Sequence, residues 1–392
     1  MSLSQITNII GKTVLPSHEI IFNSKAINFL NDVSTKLKIN KKIKHFPVLF
    51  SLMLWSSKKN LLTQKEKYKN SSFRIGRGIL FHICPSNVPL NFFYSFAFGL
   101  LSGNANIIKI PTKKFEETEI LLKIIKTIIN KKIYKKIKAS NNFIRYEKNK
   151  LVNDYFSSFS DGRIIWGSDK TVSEIKESPL KTKSIEIIFP DRYSLCVINI
   201  KKINKLNKQD LKKLIKGFFY DSYTMKQQAC NSPHLIFWVG KKNNKIIKNF
   251  WTILSEIVNQ QNNLHSIDII DKYNHICNQF ISLKGIQNFV NYNNKVYVTD
   301  YKENPIDHIR GLNGIFYQKY INKITEIKKS INVKCQTLTY FGFDKKDFIN
   351  LLNKNSSGGI DRIIPIGKSM SINFTWDGFD MIKSLSRIVD IQ

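Results

Sequence analysis

Acidic residues are scarce in this chain. Asp and Glu number 29 against 62 Lys and Arg, a formal charge of +33 over 392 residues. An excess of that size suggests either an anionic partner or a compositional bias. The distribution favours bias. Lysines are spread among Ile and Asn in KINKKIKHF, IIKTIINKKIYKKIKAS and VGKKNNKIIKNF, whereas a nucleic-acid surface gathers charge and interleaves it with aromatics. No nucleic-acid role is expected, although the charge can still attract an acidic carrier or a phosphorylated cofactor.

Cysteine is also sparse. Cys84, Cys196, Cys230, Cys277 and Cys335 are odd in number and widely spaced, with no C-x-x-C. Neither a disulfide framework nor a metal site is expected, and the pattern suits a reduced compartment. Long apolar runs are missing too. The longest, VPLNFFYSFAFGLL, is interrupted by Asn91 and is shorter than a membrane span. The start, MSLSQITNIIGKTVLP, lacks the basic-then-apolar pattern of a signal peptide. These features predict a cytoplasmic protein with no membrane span. Two phosphate-cradling motifs are absent as well. Gly76 and Gly78 open a G-x-G-x-x-G pattern that fails at Phe81, and SGNANIIK contains no GK[ST].

What is present is a strand–helix alternation. ILFHI, ANIIKI, FIRYE, GRIIW, SIEIIF and YSLCVINI read as strands, and EETEILLKIIKTIINKKIYKKI reads as a helix with acids first and lysines last. After residue 199 the pattern restarts with KQDLKKLIKGFFYDSYT, LIFWVG and IIKNFWTILSEIVNQQNN. The expectation is an α/β protein with two doubly wound parallel sheets. Its divisions are expected at residues 1–199, 200–355 and 356–392, the last a strand and a helix. The first seventy residues read as helical, and 260–330 gives no clear pattern.

Four stretches carry candidate chemistry. Asn87 lies between two prolines in CPSNVPL, where its amide suits either an oxyanion donor or an ordinary turn. Lys109 sits in the apolar strand IIKIPTKK, followed by Thr112 and Lys113 at the strand end, where open α/β sheets bind ligands. A solvated lysine cluster is the plainer alternative. Gly167 and Ser168 form the turn before a helix in IIWGSDKTVSEIK, which suits a phosphate. Cys84, Cys196, Cys277 and Cys335 lie in apolar or amphipathic runs, as packing cysteines do. Cys230 differs, because MKQQACNSPH is a polar turn between a helix and a strand, and local context leaves nucleophile and spare thiol evenly matched.

Together these segments resemble the aldehyde dehydrogenase superfamily, and most closely its acyl-CoA and acyl-protein thioester reductase branch, which includes the bioluminescence fatty-acid reductase (LuxC). The matching segments run in the family's order from GRGILFHICPSNVPL through IIKIPTK, IIWGSD, QQACNSPHLIF and CQTLTYFG to GIDRIIPIGKSMSINFTWDGFD. The resemblance implies a cofactor domain and a catalytic domain. It places Cys230 at the acylated nucleophile, Asn87 at the oxyanion amide and Lys109 at the adenosine ribose. Gly167 and Ser168 fall at the pyrophosphate turn. Thr112 falls where NAD-preferring members carry a glutamate, so with Lys113 beside it NADPH is implied. Hydrolytic members carry a glutamate where this chain reads IEIIFPDRYS, near Ile188 to Pro190, with Glu186 off that position. Its loss fits thioester reduction, since such a glutamate activates water. The implied substrate is a fatty acyl thioester of CoA or of an acyl-carrying partner protein, and the implied assembly is a homo-oligomer. Two other readings stand: an NAD(P)-dependent aldehyde dehydrogenase that makes acids, and a basic binding protein on a degenerate enzyme fold.

Overall fold

The computed structural model describes residues 6–70, 72–86, 88–261, 266–303, 306, 308–353 and 358–391. The chain divides into two compact units, residues 1–191 with 372–392, and residues 192–371.

The first unit begins with strand β1 (Thr7–Ile10) and helices α1 (Ser24–Lys38), α2 (Pro47–Trp55) and α3 (Lys58–Glu66). Strands β2 (Arg74–Gly76) and β3 (Ile79–Ile83) follow, then α4 (Asn91–Leu101), β4 (Ala105–Lys109), α5 (Glu116–Ile129), α6 (Lys135–Ala139) and β5 (Asn141–Arg145). It continues through α7 (Lys150–Phe159), β6 (Gly162–Trp166), α8 (Asp169–Lys176) and β7 (Ile185–Phe189). The sheet order is β1-β5-β4-β3-β6-β7, parallel except for β1 against β5.

The apolar strands are buried on both faces, as parallel strands between helix layers must be. Leu80, Ile108 and Ile164 join one core cluster, while Ile79, Phe81, Ile107 and Ile165 join the other. Helix α4 has no polar face because all eleven of its residues are buried. From β3 the chain moves outward through β4 and β5, then returns to place β6 on the opposite side of β3. The order therefore reverses between β3 and β6, and ligands of open sheets bind at the carboxyl ends of strands at such a reversal.

The second unit holds β8 (Tyr193–Asn199), α9 (Ile200–Ile203), α10 (Lys208–Tyr223), β9 (Pro233–Val239), α11 (Asn244–Gln261) and α12 (Ser266–Ser282). It also holds β10 (Ile286–Tyr292), β11 (Val296–Tyr301), β12 (Ile315–Ile321), β13 (Cys335–Phe341), α13 (Lys345–Asn353) and β14 (Arg362–Pro365). Their order is β10-β11-β12-β9-β8-β13-β14, parallel except for β10 against β11.

The chain then returns to the first unit as β15 (Thr375–Trp376), β16 (Phe379–Asp380), α14 (Met381–Leu385) and β17 (Ser386–Ile388). Three sequence expectations differ from this. Strand YSLCVINI, assigned to the first half, pairs with β9 and β13 in the second sheet. The segment from residue 356 is divided, with β14 in the second sheet and residues from 372 onward in the first unit. The terminal helix is only five residues long, because β17 pairs antiparallel with β2, where Arg74 Nε donates to Ser386 Oγ at 2.8 Å.

Candidate functional site

A cavity of about 580 Å³ opens in the first unit at the reversal between β3 and β6. Its walls are the ends of β3 (Ile83, Cys84) and β4 (Lys109), the residues after β5 (Tyr146 to Lys148), and the end of β6 (Trp166, Gly167, Ser168). Lys109, Thr112, Gly167 and Ser168 all line it. Lys113 does not, and its Nζ lies over the Phe115 ring at 5.3 Å. Asn87 lies outside the described residues, and Ser86 before it lines the cavity.

Lys109 is half-buried, with its Nζ 4.9 Å from the Tyr146 ring centroid. Burial pulls its pKa down, partly offset by Cys84 and Glu147. Burial pushes the Cys84 thiol well above the ordinary range, so a neutral thiol faces the cavity. Ser168 caps α8, its Oγ accepting from Thr171 N at 3.3 Å. A Cβ at Gly167 would lie 3.0 Å from the Thr171 side chain, a tight contact. Two cavity lysines are already paired, Lys148 with Glu174 at 2.6 Å and Lys150 with Asp154 at 3.2 Å.

Sequence reasoning missed Tyr146, Lys148 and Trp166. A signal for the first two was available, since RYEKNK follows a strand at its carboxyl end. Trp166 ends β6, stacks on Phe189 with centroids 3.8 Å apart, and donates from Nε1 to Ser95 Oγ at 3.2 Å.

In the second unit Cys230 occupies the turn between α10 and β9 and is half-buried. Its carbonyl accepts from Ser194 Oγ at 2.6 Å, and the same oxygen of Ser194 accepts from Thr337 N at 3.2 Å. The next residue, Asn231, donates to Ser369 O at 2.6 Å. The segment bearing Ser369 is anchored by the buried carboxylate of Asp221, which accepts from Gly367 N at 2.6 Å and Ser369 N at 2.9 Å. Burial raises the Asp221 pKa to about 6, against the lowering effect of those amides. His234, four residues beyond Cys230, is buried and held neutral. Desolvation lowers its pKa to about 3, and Nδ1 accepts from Gly311 N at 2.7 Å.

Of the other cysteines, Cys196 and Cys335 are buried, Cys277 is half-buried, Cys84 is buried at the cavity wall, and none of the five is in a disulfide. Glu186 is committed inside β7. Arg163, buried on β6, donates from Nε to Glu186 Oε1 at 2.8 Å. Among the described residues no group of three or more His, Cys, Asp or Glu is arranged for a metal ion, and no helix is long and apolar enough to cross a membrane.

The family model for acyl-CoA reductase (LuxC) matches residues 55–388. The chain belongs to the LuxC acyl-CoA reductase family. A comparison with curated protein sequences gives no match. Among solved structures, the substrate-bound AldH of Staphylococcus aureus is 13% identical with a TM-score of 0.59, over 93% of this chain and 88% of that one. A lactaldehyde dehydrogenase is 11% identical with a TM-score of 0.63, over 94% and 86%. The glyceraldehyde-3-phosphate dehydrogenase GapN of Methanocaldococcus jannaschii, solved in complex with NADP, is 14% identical with a TM-score of 0.63, over 93% and 88%. This chain thus has the aldehyde dehydrogenase fold. Family and fold together mark an oxidoreductase of acyl or aldehyde groups.

Proposed function

We propose that this chain reduces an acyl thioester to the aldehyde with NADPH, through an acyl group carried on Cys230. The observation that carries the reading is convergence: Lys109, Thr112, Gly167 and Ser168, far apart in sequence, line one cavity at the sheet reversal. Its volume falls within the roughly 300–1,000 Å³ usual for small-molecule and cofactor pockets. The donor set suits a dinucleotide. Lys109 offers an ammonium that makes no ion pair among the described residues, Thr112 and Ser168 offer hydroxyls, and Gly167 keeps the turn small. Thr112 itself presents no carboxylate to a 2′-phosphate; the cavity is also lined by Lys148 and Lys150, each ion-paired, and by Glu147, Glu174 and Glu177. We assign residues 1–191 with 372–392 to cofactor binding and 192–371 to the nucleophile.

The bound nicotinamide would supply a hydride to the acyl carbon. The Cys230 thiolate attacks the thioester carbonyl, and the bond from carbon to the donor sulfur breaks. The donor leaves as a thiolate and takes a proton from solvent. The Asn87 amide and the Cys230 backbone N–H are the proposed oxyanion donors. After reduction the bond from carbon to Cys230 Sγ breaks, releasing aldehyde and restoring the thiolate. The donor is a fatty acyl-CoA or an acyl-carrying protein. Glu186, the nearest glutamate to the water-activating position, is held by Arg163, which favours reduction over hydrolysis.

The test is NADPH oxidation dependent on an acyl thioester, with aldehyde as product. Cys230→Ala is expected to abolish it. Retained activity in that variant, or carboxylic acid as the product, would overturn the reading.

A further inference from the structure

Helix α10 ends at Tyr223, and the backbone then turns through Lys226 at φ 52° and Gln227 at φ 61°. Neither is glycine, so both pay the steric cost of a left-handed conformation. Such residues persist only where their surroundings over-determine them. For Gln227 the determinant is its own side chain, which is 1% exposed. Nε2 donates to Ile315 O at 3.0 Å and Pro233 O at 3.3 Å. Oε1 accepts from Gly314 N at 2.8 Å and Ile315 N at 3.1 Å. Both donors and both acceptor sites of one amide are used. Its backbone N–H is also bound, donating to Ser222 O at 2.9 Å. Room for this amide comes from Gly311, where a Cβ would lie 2.7 Å from Gln227 Nε2.

The bond from Gln227 to Pro233 closes a loop that has Cys230 at its midpoint. The bonds to Gly314 and Ile315 tie that loop to the start of β12, the strand next to β9. We propose that Gln227 is a positioning residue: its amide fixes the Cys230 loop and so sets the geometry in which the thiol is acylated. The proposal rests on Cys230 being the acylated nucleophile. Its contribution does not lie in the left-handed backbone, which glycine could supply.

The experiment uses the full chain with Gln227→Gly, which relieves the backbone and removes the clamp, and Gln227→Met, which keeps length without the amide. Three quantities are read: acyl transfer from an acyl-CoA to Cys230, the pH profile of Cys230 alkylation by iodoacetamide localised by peptide mass, and far-UV circular dichroism. Both variants are expected to stay folded and to lose on the order of 100-fold in acylation rate, as misplaced reactive groups do. The alkylation profile should shift as well. Wild-type acylation with an unshifted profile in a folded Gln227→Gly would overturn the proposal. Hydrogen exchange of the wild-type Gly314 and Ile315 amides gives a measurement independent of the variants. Slow exchange is expected, and exchange at the rate of an open loop would refute the clamp. Failure of the nucleophile reading shows separately, as activity retained in Cys230→Ala.

Discussion

Acidification should weaken the first unit through one buried imidazole. His82 is fully buried in β3, with Nε2 2.9 Å from Asn106 Oδ1 and Nδ1 2.8 Å from Ser95 Oγ. The carbonyl-type oxygen of Asn106 only accepts, so Nε2 carries the proton and Nδ1 accepts from the Ser95 hydroxyl. Desolvation lowers the His82 pKa to about 4, against an ordinary value of 6.5. As pH falls below 6.5 the unfolded chain takes up a proton that the folded chain refuses. Stability is therefore full above that value and is lost as pH falls toward 4. Each pH unit inside the window costs at most about 1.4 kcal/mol, so about 2 kcal/mol is lost by about pH 5 and about 3 kcal/mol by about pH 4. His234 adds a loss of the same sign in the second unit, while Asp221, with its raised pKa, opposes it below about pH 6. Comparison with His82→Gln cancels both. Urea unfolding of the two proteins at about pH 7 and about pH 5 should give a wild-type stability that falls about 2 kcal/mol further than the variant's. Equal pH dependence in the two proteins would refute the reasoning.

Two further outcomes are expected. Arg163→Ala strands the Glu186 carboxylate and also removes the bonds to Ser157 and Ser178, so unfolding should show a loss of about 3–5 kcal/mol. Adding Glu186→Leu should recover much of it, whereas no recovery would mean the pair is not the source. Lys109→Met removes the half-buried ammonium of the cavity. On the proposed reading, NADPH binding, followed by tryptophan fluorescence, should weaken by about 10–100-fold, the worth of a hydrogen bond to a charged group, and a Kd unchanged from wild type would remove Lys109 from the proposed site.

Much of the fold was legible because its strands are buried on both faces and announce themselves as short apolar runs. Strand β12 hid because Gln318 interrupts IFYQKYI, yet that residue is buried. Its Oε1 accepts from Trp238 Nε1 at 2.9 Å and Trp251 Nε1 at 3.0 Å, and its Nε2 donates to Asp300 at 2.8 Å. Strand β10 hid because it is an edge with mostly exposed residues. The division near residue 200 was displaced because β7 and β8 follow each other closely in sequence but enter different sheets. The placement of Lys109, Thr112, Gly167 and Ser168 at strand ends and a helix start could be read because such features are local. Gln227 could not, since its partners at Gly314 and Ile315 lie almost ninety residues away and only the folded chain brings them together.

The return of the chain to the first unit bears on how the protein is made. Helix α4 packs against α14, where Met381, Ile382 and Leu385 complete its core, and the Asn104 amide donates to Leu385 O at 2.9 Å. On the ribosome, residues 192–371 emerge before those closing residues exist. An eleven-residue helix without a polar face must wait through that interval with part of its covering missing. Nascent first-unit chains are thus a natural client for chaperones that shield apolar segments, and trimming the last twenty residues would leave that client state permanent.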